Sequence, residues 1–236
     1  MLYAQAIGYV LLNMLVLTPL IFAFSAQWFS ILPHAFHVQV CQVLVGLVVH
    51  SVCYYAVHRA MHTPALYWCH RFHHRFNTHI TPLAASNAAT GQTLDLVLPC
   101  APVLLRDQRS RPSLVVTDAV TPVEFSLAYG IPFSIFAKLL HAVGCAPDRP
   151  AVHAAIWLIG FTNLLIHTPW LEALAAAHVP VWLVSTADHF AHHKKLSMNY
   201  AAPTFNVDTA VRAVGVIDRA LAWAFGKAYQ EKHHDA

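Results

Sequence analysis

Charge is what this chain has least of: 11% of its 236 residues are Asp, Glu, Lys or Arg, while 57% are hydrophobic. A water-soluble domain usually carries about 25% charged residues. So few charges cannot clothe a water-facing surface of this size, which points to burial in a membrane. The small formal charge of +3 and the absence of a basic stripe interleaved with aromatics argue against a nucleic-acid partner. There is no C-x-x-C pair, and the five cysteines (Cys41, Cys53, Cys69, Cys100 and Cys145) are odd in number and scattered. That spacing excludes a disulfide framework and the usual zinc-knuckle patterns. No G-x-G-x-x-G follows a strand and no C-x-x-C-H is present, so the chain carries no dinucleotide or c-type haem signature of its own. No Lys or Arg precedes the first apolar run, residues 6–24. Its length also favours a retained helix over a cleaved signal peptide.

What the chain has in abundance is long apolar stretches and histidine. Residues 1–24, 37–57, 122–144 and 151–166 are each apolar enough to read as a membrane span, since about 20 residues cross the hydrocarbon core as a helix. Residues 26–33 form a short turn between the first two, and residues 146–150 a tight turn between the last two. Pro132 should kink the third span, which Lys138 also weakens. The Lys and Arg residues other than Lys138 and Arg149 fall on one side of this arrangement, which the positive-inside rule makes cytosolic. The expected fold is therefore all-α and integral to the membrane, with four transmembrane helices under a cytosolic helical cap. An amphipathic piece at 207–229 is suited to lying on the bilayer surface. Residues 89–119 hold Pro99, Pro102 and Pro112, the charged run Arg106, Asp107, Arg109 and Arg111, and a short apolar stretch. They read as a poorly ordered insertion in a single domain covering 1–236.

Eighteen residues are histidine, and eight of them fall into three clusters: His58 with His62, His70 with His73 and His74, and His189 with His192 and His193. Helical residues three and four apart share a face, so H-x3-H and H-x2-H-H each aim their imidazoles at one point. Imidazole suits iron, zinc, copper and nickel, and eight ligands exceed what one metal takes. A polar patch at the membrane edge would need no such periodicity and would favour Lys and Arg. His167, closing the fourth span on the same side, is a ninth candidate ligand. Asn163, one turn earlier, can ligate or hydrogen-bond. His79 and His178 are open between ligand and polar loop. His50, two turns before His58, reads as a hydrogen-bonded interior residue or one standing behind the ligands. His34, His37, His141, His153, His233 and His234 read as bystanders. Asp188 and Asp208 are candidates either to orient a ligand histidine or to cap a helix. Glu124 is a candidate for the same two roles.

At these residues the chain resembles the sterol desaturase/fatty acid hydroxylase superfamily of membrane histidine-box enzymes. The pattern H-x3-H, H-x2-H-H, a lone His after the last span and a second H-x2-H-H is matched by His58/His62, His70/His73/His74, His167 and His189/His192/His193. The resemblance covers most of residues 55–208, and the short gap between the first two boxes sets it apart from acyl-CoA desaturases. It implies a fatty acid hydroxylase-like domain of the endoplasmic reticulum with its histidines facing the cytosol. It also implies two non-haem iron ions (a di-iron centre) and an O2-dependent oxidoreductase that hydroxylates or desaturates a sterol or fatty-acyl lipid. A b-type cytochrome and its reductase would supply electrons. Two positions depart from the family pattern: Thr121 stands where a histidine often leads the H-P-x-E element, and Ser51 where an Asp is common. Splicing residue 88 to 120 would restore a family-like run. The rival class is a non-catalytic or zinc-binding, zinc-transporting membrane protein, including an inactive paralogue. Transport predicts ionisable residues within several spans near the midplane, whereas these spans are nearly bare of Asp and Glu and the histidines gather at one edge.

Overall fold

The computed structural model describes residues 2–75, 120–168, 171–201 and 203–225. The suspected insertion at 89–119, His79, His233 and His234 lie outside the described residues. Those described form helices joined by turns, with one isolated bridge between Leu183 and Phe205 and no strand among them.

Among the described residues, four helical stretches are long and apolar enough to cross a membrane: Ala4–Trp28, Phe36–Met61, Pro122–Ala142 and Arg149–Ile166, giving the chain the build of a multi-pass membrane protein. They are numbered spans 1 to 4. Their outward faces are mostly apolar. Leu15, Phe36, Val52 and Trp157 are all exposed, which in water would cost about 25 cal/mol for each Å² of apolar surface.

Span 1 comprises α1 (Leu2–Leu12), a wide turn (Asn13–Leu17) and α2 (Thr18–Ser25). Span 2 is one helix, α3 (Phe36–Met61), running four residues further than the apolar pattern indicates and carrying His58 within it. A short helix, α4 (Tyr67–His74), follows. Span 3 comprises α5 (Pro122–Phe125), a second wide turn (Ser126–Gly130) and α6 (Ile131–Ala142). Span 4 is α7 (Arg149–Ile166), and beyond it lie α8 (Glu172–His178), α9 (Thr186–Lys194), α10 (Val207–Ala213) and α11 (Gly215–Phe225). The amphipathic stretch read as one piece is thus two helices, broken at Val214.

Each wide turn precedes a proline. Pro132 has no N–H and its ring crowds the carbonyl one turn back. Ile131 N–H instead reaches five residues back to Ser126. Thr18 N–H does the same to Asn13, just before Pro19. A π turn thus stands where the kink at Pro132 was expected. Asn13, buried in span 1, donates from Nδ2 to the Val120 carbonyl at 2.9 Å, fastening span 1 to the start of span 3. Lower down, a Cβ at Gly130 would stand 2.8 Å from Ile21 Cδ1, so a larger residue there would have to push the tip of the Ile21 side chain aside.

The turns at the far end are locked by one carboxylate. Buried Asp148 accepts from the backbone N–H of His34 at 2.8 Å and from its Nδ1 at 2.9 Å. Gln42 Oε1 accepts from Asp148 N–H at 3.0 Å, and Ser30 N–H donates to the Pro147 carbonyl. His34 is thus an anchor between loops, a role its sequence context did not show.

Candidate metal centre

The near end of the bundle collects the histidines. α3 arrives carrying His58, with His62 as its cap. α4 turns back across it with His70, His73 and His74, and α7 ends at His167. α9 supplies the rest, its start fixed by a capping box in which Ser185 accepts from Asp188 N–H and the Asp188 carboxylate accepts from Ser185 N–H. The structure brings all nine histidines singled out in the sequence into two buried groups. One is His58, His62, His70, His74 and His192; the other is His73, His167, His189 and His193. Within each group the nitrogens lie within 4.8 Å of one another, and the group as placed could hold a metal ion. The two are neighbours: the rings of His73 and His74 lie 4.8 and 4.7 Å from that of His193.

Hydrogen bonds fix where the protons sit. His58 Nδ1–H donates to the Tyr200 carbonyl at 2.7 Å, His192 Nδ1–H to Met198 at 2.7 Å and His167 Nδ1–H to Asn163 at 2.7 Å. A carbonyl only accepts, so each of these neutral rings keeps a bare lone pair on Nε2. His70 Nδ1–H donates to Glu124 Oε1 at 2.6 Å, leaving its Nε2 bare as well. Yet the Nε2 atoms of His58 and His70 are only 2.9 Å apart. Two lone pairs facing each other at that distance repel; a shared cation turns the repulsion into ligation. Nε2 of His192, buried and without a hydrogen-bond partner, is bare in the same way.

Burial also keeps these rings neutral. It pulls His192 and His167 down to about 4, in each case partly offset by the carbonyl bonded at Nδ1. His62, His70, His73, His74, His189 and His193 are held well below the ordinary histidine value, by burial first and then by neighbouring imidazoles. At neutral pH the set therefore offers lone pairs instead of protons. Cys69 does not compete: burial, with Glu124 second, pushes its thiol up to about 11, and Sγ–H donates to Leu66.

The supporting residues divide. Glu124 both orients His70 and sits in the first turn of α5, where Thr121 caps its N–H. Asp188 spends its carboxylate on the capping box, and Asp208 accepts from Ala201 N–H at 2.5 Å. Neither carboxylate has a hydrogen bond to a ligand ring among those seen. Asp208 instead braces the loop that presents Tyr200, whose carbonyl holds His58. Asn163 contributes its carbonyl to His167. His178 is exposed and belongs to neither group. His50 departs from expectation: it is buried between Tyr54 and Tyr129, yet both its nitrogens lack hydrogen-bond partners among the described residues. Thr121 donates to the Cys69 carbonyl at 2.8 Å, tying α5 to α4. Ser51 joins the loop around Thr204 to α3. Sequence reasoning missed the roles of Tyr200 and Met198, because a backbone carbonyl leaves no trace in residue identity.

Compared with models of protein families, with curated proteins and with solved structures, the chain matches none.

Proposed function

We propose that this chain is a membrane-bound lipid oxidoreductase, a hydroxylase or desaturase that uses O2 on a sterol or fatty-acyl substrate at a non-haem di-iron centre. The observation that carries the reading is the pair of adjacent, buried, all-imidazole groups. The bare Nε2 atoms and the neutral state of the rings fit a divalent metal of the iron, zinc and copper class. His58, His62, His70, His74 and His192 would hold one ion, and His73, His167, His189 and His193 the other. When bound, two ferrous ions supply the O2-activating redox chemistry needed to break an unactivated C–H bond.

The chain's own residues supply geometry and exclusion. Tyr200, Met198, Asn163 and Glu124 fix ring tautomers and orientations, as acceptors behind ligand histidines do. Every ring of the set is at most 8% exposed, so the protein keeps bulk water from the reacting carbon. The lipid substrate would approach from the bilayer alongside the spans. Electrons would come from a separate b-type cytochrome and its reductase. The basic side of the bundle, which carries the histidines, would face the cytosol, in the endoplasmic reticulum membrane.

A zinc-transport reading is the weaker one, since a transport path calls for ionisable residues along several spans. Glu124 is the one carboxylate of the described spans, and it is committed to His70. The test is metal analysis combined with O2-dependent turnover of the full chain in membranes, with lipid and sterol profiling of cells with and without the gene to name the substrate. The expected result is stoichiometric iron and an O2-dependent lipid product, both lost in His192→Ala. Turnover unchanged in that variant overturns the proposal.

A further inference from the structure

Span 2 is longer than a bilayer needs. Its 26 residues extend about 39 Å at 1.5 Å per residue, against a hydrocarbon core of about 30 Å. Its large exposed apolar side chains begin at Phe36 and stop at Val52, after Val40, Leu44, Val45 and Val48. Measured from Phe36, a core of about 30 Å ends about twenty residues on, near Tyr55. Ser51 therefore lies inside that boundary by several ångströms, whereas His58 and His62 stand beyond it.

A loop from the far end of the sequence is anchored at the level of Ser51. The Ser51 hydroxyl donates to Leu47 O at 2.8 Å, and its oxygen accepts from the Thr204 hydroxyl at 2.6 Å and from Phe205 N–H at 3.4 Å. Thr204 and Phe205 pair in turn with residues 182–184. Val184 N–H donates to Thr204 O and Asn206 N–H to Trp182 O, each at 2.9 Å, and the Trp182 and Phe205 rings lie 6.2 Å apart. The tip of this small hairpin is a tight turn closed by Leu183 N–H to Pro180 O. It presents Val181 and Trp182, 76% and 57% exposed. A rigid, hydrogen-bonded mount thus holds two large apolar side chains outward beside the last lipid-facing turn of span 2.

We propose that residues 180–183 form a membrane wedge, with Val181 and Trp182 seated in the acyl-chain margin of the bilayer at the level of Ser51. The depth, several ångströms inside the hydrocarbon boundary, matches the 5–10 Å typical of interfacial apolar segments. Tryptophan favours that zone because its ring is apolar and its N–H is polar. The cap is then not a lid resting above the membrane but a structure with one edge sunk into it. This inference rests on the membrane reading alone and is independent of the chemistry at the histidines.

The test places a benzophenone amino acid at Val181, and separately at Lys195, an exposed residue at the end of α9. The full chain is irradiated in phosphatidylcholine nanodiscs. Phospholipid adducts at Val181 and none at Lys195 are the expected result. No lipid adduct at Val181, equal adducts at both positions, or a cross-link from Val181 to a second copy overturns the wedge. Helix content by circular dichroism of both variants, equal to that of the native chain, reports that the fold is kept. As a second measurement, the fluorescence difference between the native chain and Trp182→Phe isolates Trp182. Phospholipids brominated near the headgroup should quench that signal by about half or more, and those brominated at the chain ends less. Equal or no quenching overturns the proposed depth.

Discussion

The two histidine groups are made of the same side chain and held differently. In the first, three of five rings are fixed at Nδ1 by an acceptor: His58 by Tyr200, His70 by Glu124 and His192 by Met198. In the second, only His167 is fixed in this way, by Asn163, while Nδ1 of His73, His189 and His193 has no partner within the described residues. Acceptors behind a ligand preset its tautomer and direction, and losing one typically costs 10–100-fold in metal affinity. The difference makes the first group the better organised of the two candidate sites. Identical ligands therefore do not make equivalent sites.

Removing a ligand from the first group should have the largest effect. His58→Ala is expected to abolish lipid oxidation and to lose the metal of the first group, read by elemental analysis and turnover. His193→Ala should spare that metal and lose the other. Equal losses in both variants would erase the distinction between the groups. Next, titrating the metal-free protein with ferrous iron under anaerobic conditions should fill the first group before the second, and a chelator should empty them in reverse order. A single transition would break the comparison. Glu124→Gln comes third: it keeps the shape and an acceptor for His70 but removes the charge. It should weaken metal binding at the first group by about tenfold, and a calorimetric titration would see it. Smaller still, Asp148→Ala at the far end should cost about 1–2 kcal/mol of stability by leaving the backbone N–H and Nδ1–H of His34 without their acceptor. Metal content should be unchanged, since none of its partners reaches the centre. The smallest effect is expected at His50→Phe. Removing an imidazole whose two buried nitrogens lack partners should stabilise the chain by about 1 kcal/mol, seen as a raised unfolding temperature with metal retained.

How much of this was legible beforehand differs between residues. The spans were readable because lipid demands an unbroken apolar surface, and the three clusters because helical spacing puts their rings on one face. His167 was readable as the last residue of a span. The end of α3 was not: the apolar run stops at Val57, but the helix continues to Met61 because its last turn is sheltered by other histidines instead of lipid. The wide turns at Asn13 and Ser126 were hidden too, since a proline announces a disturbance but not the form it takes. Asp188, open between orienting a ligand and capping a helix, took the cap. Glu124, with the same two options, took both roles.

The sequence by itself determined the helical build and four spans of the described residues and which nine histidines would gather, because hydrophobic length and helical periodicity are local properties. Which histidines share a group was decided only by the fold. His73 and His74 are neighbours in the chain, yet they point into different groups, since adjacent helical residues diverge by about 100° around the axis. His192 left the cluster it belongs to in sequence and joined the rings of α3 and α4. The packing of α9 against the ends of α3, α4 and α7 sets that division, and with it which nitrogens carry protons and which are free to bind.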